Sequence, residues 1–215
     1  MLTNDEKLNN TVMVYISTFD SGLIVRDVEP AIRNDMIQRC NDDVAKRQRY
    51  CVWKLLDYAL FDCYGKGVKD FNFVIDGNGA WKCDNGVKFS LTHCNNVVAV
   101  AVCNQAVGVD LESVAKFAHH ANSTQFAERV LTEKEQIELL NVPVDRRAET
   151  LAQTWTKKES IFKLSGGAAF IPKSIDATTE TARSKLVTVN GERYALSVAT
   201  NTPSKAEIVQ VKLSY

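Results

Sequence analysis

The sequence predicts an α+β fold, on three observations. Short stretches rich in β-branched residues open the chain, recur between residues 89 and 112, and return after residue 186. Two long stretches with helical spacing stop at glycines, Gly65 and Gly166. The order is strand, helices, strands, then helices and strands again, which is the segregated pattern of α+β proteins.

Taken in order, Thr11 to Thr18 (TVMVYIST) alternates and reads as a strand. Ile32 to Arg39 reads as a short helix. A second helix is expected from Asn41 to Cys63, with Val44, Val52, Leu55, Leu56, Ala59 and Leu60 on its buried side, stopped by Gly65 and Gly67. Asp76 to Gly79 is a turn signal. Three strands follow, Phe89–Thr92, Val97–Val102 and Val107–Glu112, separated by turns at Asn95-Asn96 and Asn104-Gln105, and they read as an antiparallel meander. Thr132 can cap a helix starting near Glu133, with Glu135 at the capping-box position. A long helix is expected from Ala148 to about Leu164. From Leu186 to Tyr215 the chain alternates again, with a turn at Asn190-Gly191 and a last strand over Ile208–Leu213. Each half thus holds strands and one long helix, and the expected join is the turn near Asn104: an N-terminal lobe of 1–104 and a C-terminal lobe of 105–215.

Composition narrows the function classes. Basic and acidic side chains balance at 26 each, which argues against a general nucleic-acid or membrane-surface binder. The longest apolar run, Val97 to Cys103, is too short to span a bilayer. Six cysteines include no Cys-x-x-Cys pair, so neither a zinc knuckle nor a thioredoxin-like site is expected. Met1 to Asn10 is polar, without an apolar stretch of signal-peptide length. The expectation is a cytoplasmic protein with reduced, mostly buried thiols.

Four segments carry candidate chemistry. In Gly108-Val109-Asp110-Leu111-Glu112 the strand period puts Asp110 and Glu112 on one face. Adjacent carboxylates repel, a bound cation removes that penalty, and hard oxygen donors suit Mg²⁺. Two carboxylates on a solvated strand face is the commoner reading of such a pentapeptide by itself. In Trp155 to Lys163 (WTKKESIFK), helical spacing sets Trp155, Glu159, Phe162 and Lys163 on one side, which reads as a site or as an ordinary ion pair one turn apart. In Phe89 to His93 (FSLTH) the histidine ends a strand, where its ring N–H can meet an anion or simply a turn carbonyl; Ser90 and Thr92 add hydroxyl donors. Lys46-Arg47-Gln48-Arg49 sets basic groups near a helix N-terminus, against the macrodipole, a cost that a bound polyanion offsets. His119-His120 has no metal-ligand spacing.

The order FSLTH, GVDLE, WTKKESIFK resembles the signature of the 4′-phosphopantetheinyl transferases, in particular the long, two-lobed type that activates peptide and polyketide synthases as well as fatty-acid systems. The resemblance is closest over residues 89–112 and 126–166. It implies two similar α+β lobes in a pseudo-twofold arrangement with the cofactor at their junction, and a monomer. It implies transfer of 4′-phosphopantetheine from coenzyme A to a serine of an acyl or peptidyl carrier protein, with release of adenosine 3′,5′-bisphosphate. By that resemblance Asp110, Glu112 and Glu159 hold Mg²⁺. Lys163 contacts a coenzyme A phosphate and helps the leaving group, and Thr92 and His93 contact further phosphates. Glu135, in LTEKEQ, matches a glutamate credited with a role in deprotonation, and Arg47 or Arg49 matches the basic residues that bind the terminal phosphates. Many relatives carry Gly-Lys-Pro ahead of the first meander strand; this chain has Gly79-Ala80-Trp81-Lys82-Cys83, where Lys82 is the candidate substitute. The carrier surface is expected to be apolar, with Val114 to Phe126 as the candidate segment. The rival expectations are a Mg²⁺-dependent nucleotide or coenzyme A pyrophosphate hydrolase and a non-catalytic coenzyme A-binding module.

Overall fold

The structure, a computed structural model, describes Leu8 and residues 11–84, 86–202 and 204–213. Most of the polar stretch 1–10 and the last two residues therefore lie outside the described residues. The fold is α+β, and the chain divides into two units: Met1–Val107 together with Ser204–Tyr215, and Gly108–Pro203.

The first unit holds strands β1 (Thr11–Thr18), β4 (Lys88–Cys94), β5 (Val97–Cys103) and β9 (Lys205–Gln210) in one sheet, in the order β4-β5-β1-β9. A separate hairpin pairs β2 (Phe73–Ile75) with β3 (Trp81–Cys83) around the Asp76–Gly79 turn. Helices α1 (Ala31–Gln38) and α2 (Asp43–Tyr64) complete the unit. Asp42 caps α2 by accepting from the Ala45 N–H at 2.6 Å, and Gly65 ends it at φ 68°, a left-handed position that favours glycine. The apolar side of α2 is buried at Val52, Leu55, Leu56, Ala59 and Leu60, while Val44, expected with them, is 52% exposed because it lies in the helix's open first turn.

Two expectations for the strands change. The third strand of the anticipated meander, β6 (Val107–Ser113), does not join β5, because both edges of β5 are filled by β4 and by β1, which pairs antiparallel from Met13↔Val102 to Thr18↔Val97. The last strand, β9, lies parallel to β1 from Thr11↔Lys205 to Ile16↔Gln210, so the chain from Ser204 belongs with the first unit and that unit's sheet is mixed. Every residue of β5 is buried, as its unbroken apolar run predicts.

In the second unit β6 lies beside β8 (Glu192–Thr200), which pairs antiparallel with β7 (Ala182–Val189) across the Asn190-Gly191 turn. Both turn residues have positive φ, 50° and 82°, the geometry of a two-residue hairpin loop. Helices α3 (Thr124–Val130), α4 (Glu133–Leu140) and α5 (Arg147–Ser165) pack around Phe117, Leu131, Leu139, Leu151, Ala152 and Ala195. Among the described residues no helix is long and apolar enough to cross a membrane. No disulfide joins the six cysteines.

Gly108 sets the crossing of β6 and α5. A β-carbon there would lie 1.9 Å from the Ser160 carbonyl oxygen and 2.8 Å from the Leu164 nitrogen. Both are backbone atoms that cannot swing away. Gly108→Ala is expected to lower unfolding stability by about 1–3 kcal/mol or more, the usual cost of overpacking. Denaturant unfolding measures it, and a change within about 0.5 kcal/mol, the size of a neutral surface substitution, would contradict the backbone contact.

Candidate functional site

Backbone contact at Gly108 brings the acids of β6 against α5. Asp110 is 3% exposed, so the solvated-face reading of GVDLE does not hold for it, and Leu111 is buried as well. Glu112 is half-buried and takes an ion pair from Lys116 one turn into the following 3-10 turn, at 2.5 Å. From α5, Lys163 reaches down to β6. Its Nζ donates to Asp110 Oδ1 at 2.8 Å and to the Val109 carbonyl at 3.0 Å. Glu159, one turn earlier, is half-buried on the same side of the helix.

The electrostatics of Glu159 record its neighbours. Burial first, and then the negative charge of Asp110, push its carboxyl up from the ordinary 4.5 to about 7. Lys163 and the Trp155 indole pull it back, while Glu112 adds to the rise. The structure thus brings Asp110, Glu112, Glu159 and Lys163 into one interacting group. Around Glu159 stands an aromatic wall: the Trp155 and Phe162 rings lie 5.5 Å and 5.3 Å from that of Phe170.

The donor chemistry fits a hard divalent cation, since carboxylates whose charges repel gain from one. Among the described residues, however, no three Asp, Glu, His or Cys side chains already converge on a single metal position. Mg²⁺ does not need such a cage, because it binds through one or two carboxylates and completes its shell with water and phosphate oxygens. As the chain stands, the ammonium groups of Lys163 and Lys116 lie against two of the acids.

Glu135 has a different place from the one expected. It is 4% exposed, and both its oxygens are engaged. Oε2 accepts from the Thr132 N–H at 2.9 Å, closing the capping box of α4, and pairs with Lys158 Nζ at 2.7 Å; Oε1 accepts from the Ala177 N–H at 2.7 Å. A carboxylate so committed holds structure rather than taking a substrate proton. Lys158, fully buried, also donates to the carbonyls of Pro172 and Ile175. The sequence reading missed it, although the i, i+7 relation to buried Leu151 put it on the inner face of α5.

The other candidates lie in the first unit. Arg47 and Arg49 occupy the early turns of α2 and are half-buried. Gln48 between them donates to the Asn95 carbonyl at 2.8 Å, so the basic turn stands beside the loop that follows His93. Thr92 is 5% exposed while His93 is exposed, as neighbours on a strand point to opposite faces; the two side chains therefore do not act from one side. Lys82, on β3, is exposed and 3.5 Å from Asp76. The segment Val114 to Phe126 offers little open apolar surface, because Phe117 is buried and Phe126 packs on it.

Residues 106–207 match the family model described as the 4′-phosphopantetheinyl transferase superfamily. The stretch contains Asp110, Glu112, Glu135, Glu159 and Lys163.

Just under half of the chain is therefore similar to the 4′-phosphopantetheinyl transferase superfamily.

Similar proteins carry that name too. The 4′-phosphopantetheinyl transferase AcpT of Escherichia coli O157:H7 is 29% identical over 128 residues, 59% of this chain and 64% of the relative. The 4′-phosphopantetheinyl transferase psf-1 of Bacillus pumilus is 25% identical over 173 residues, 73% of this chain and 72% of the relative. The 4′-phosphopantetheinyl transferase gsp of Aneurinibacillus migulanus is 28% identical over 109 residues, 51% of this chain and 38% of the relative. The chain thus spans less than two thirds of the AcpT relative's length. The superfamily match begins after Arg47, Arg49, Lys82, Thr92 and His93, so it bears on the acids and Lys163 only.

The raised carboxyl of Glu159 gives a pH test. The folded chain holds its proton up to about pH 7, whereas the unfolded chain releases it near the ordinary 4.5. Folded stability from this group is therefore present at low pH and lost as pH rises through that window. Without divalent metal, Glu159→Gln should match the parent at pH 5 and melt about 2–4 °C higher at pH 8, the shift that 1 kcal/mol gives in a chain of this size. Parallel melting curves for parent and variant at both pH values would show that Glu159 is not held in this environment.

Proposed function

We propose that the chain transfers 4′-phosphopantetheine from coenzyme A to a serine hydroxyl of an apo carrier protein. What supports the reading is one observation above the rest: the stretch matched by the superfamily model is the stretch in which β6 and α5 touch, and their contact gathers Asp110, Glu112, Glu159 and Lys163.

In this proposal Asp110, Glu112 and Glu159 would hold Mg²⁺. When bound, the ion supplies Lewis-acid stabilisation of charge on the phosphate oxygens. The chain's own groups do the rest. The serine Oγ forms a bond to the phosphorus that bears the pantetheine arm. The bond from that phosphorus to the pyrophosphate bridging oxygen breaks, and adenosine 3′,5′-bisphosphate leaves. The Glu159 carboxylate takes the serine proton. Lys163 Nζ, now against Asp110 Oδ1 and the Val109 carbonyl, turns its remaining N–H donor to the departing phosphate. Glu135 has no step, because its oxygens hold α4 and Lys158. Arg47, Arg49, His93 and Lys82 bind coenzyme A phosphates and keep charge there rather than move a proton.

The test is intact-mass measurement. The protein is incubated with coenzyme A, Mg²⁺ and a panel of apo acyl and peptidyl carriers, with and without chelator. The expected result is one phosphopantetheine added to a carrier, abolished by chelator and lowered about 10²–10³-fold by Lys163→Ala, the usual loss when a charge-stabilising donor is removed. Coenzyme A cleaved without any carrier would favour the hydrolase, and coenzyme A bound but unchanged would favour the binding module.

A further inference from the structure

Arg33 of α1 is a buried cation without an acid. It is 5% exposed, and among the described residues no carboxylate pairs with it. Its guanidinium lies 4.9 Å from the Trp53 ring centroid and 5.6 Å from that of Trp81, whose rings are themselves 4.9 Å apart. Nη2 donates to the Arg49 carbonyl at 2.7 Å, and Nε has no hydrogen-bond partner among the described residues. Burial, and then the charge of Arg49, hold its pKa down to about 10.

Burying a charge unpaired is costly, and an apolar side chain would fill the same space without that cost. Two aromatic faces and one carbonyl compensate in part. What an apolar residue cannot do is join three segments at once. Arg33 stands on α1, bonds the backbone of α2 at Arg49, and stacks on Trp81, the neighbour of Lys82 in the β2-β3 hairpin. The clasp is reciprocal, since Arg49 Nη1 donates back to the Met36 carbonyl of α1 at 3.4 Å. Two of the segments so joined carry Arg49 and Lys82. The positive charges of Arg33 and Arg49 repel, and an anion relieves that repulsion.

We propose that Arg33 is a positioning residue for coenzyme A: held against Trp53 and Trp81, it fixes the backbone at Arg49 and the hairpin at Lys82 so that their cations meet the ligand's phosphates. The inference rests on coenzyme A being the ligand. Arg33 itself is too buried to be the contact. A planar fork satisfies both the stack and the carbonyl, and a lysine does so incompletely.

The test compares the full chain with Arg33→Met and Arg33→Lys, using coenzyme A titration calorimetry, the KM for coenzyme A and for carrier, kcat, and melting to verify folding. Arg33→Met should weaken coenzyme A binding and raise its KM about tenfold, leaving kcat and the carrier KM within about twofold, while Arg33→Lys recovers part of the loss. Should Arg33→Met fail to fold, Arg33→Lys carries the test with a smaller loss of the same kind. Unchanged coenzyme A affinity, or parallel losses for both substrates and kcat, overturns the proposal. Coenzyme A binding that weakens in the variant while no carrier is modified removes the transfer reading and keeps the role of Arg33. Transfer with unaltered coenzyme A affinity does the reverse.

Discussion

Everything at the acid cluster depends on the absence of one side chain. β6 and α5 meet backbone to backbone at Gly108, and a single β-carbon there would collide with the Ser160 carbonyl. That closeness lets Lys163, a turn beyond the crossing, hold both Asp110 and the Val109 carbonyl. It also brings Glu159 near enough to Asp110 for the Asp110 charge to be felt at the Glu159 carboxyl. A wider separation would leave three ordinary half-solvated ionic groups, each screened by water. The glycine of GVDLE is a packing requirement first, and the chemistry of the motif follows from it.

A second constraint secures the helix from behind. Glu135 and Lys158 form an ion pair almost free of solvent, with the Thr132 N–H, the Ala177 N–H and two carbonyls as further partners. Burial of such a pair gives little net stability, but it is directional, and every partner here is an atom that must be in register. It ties the cap of α4, the middle of α5 and the 172–177 segment to one arrangement. Lys158 and Glu159 are adjacent, so the residue that locks the helix and the residue that faces the acids leave it on different sides. The other lysine of WTKKES reaches the same segment, with Lys157 donating to the Ala177 carbonyl at 3.4 Å.

Local periodicity made most elements legible. β1, α2 and α5 follow from alternation or helical spacing and from glycine stops, and the capping box at Thr132 and Glu135 is as read. Pairing was not legible in the same way. Nothing in residues 107–113 says that β5 has no free edge, and nothing in residues 205–210 names β1 as a parallel partner. The short hairpin strands β2 and β3 fall below the length at which alternation is visible. At the site, strand and helix periods put Asp110 with Glu112 and Glu159 with Lys163, but their approach is tertiary and is signalled only by Gly108. Glu135 reads identically in sequence whether it caps a helix or meets a substrate, and only its buried partner separates the two. Arg33 gives no signal at all, because its role comes from two tryptophans far along the chain.

The measurement closest to the centre of this account is Mn²⁺ binding, with Mn²⁺ standing in for Mg²⁺ as an oxygen-seeking cation visible to electron paramagnetic resonance. The whole chain is titrated with and without coenzyme A, beside Asp110→Asn. The account predicts immobilised Mn²⁺ in the parent, tighter with coenzyme A, and at least about tenfold weaker in a variant that melts normally. Equal binding by parent and Asp110→Asn, or no binding by the parent even with coenzyme A, would contradict it.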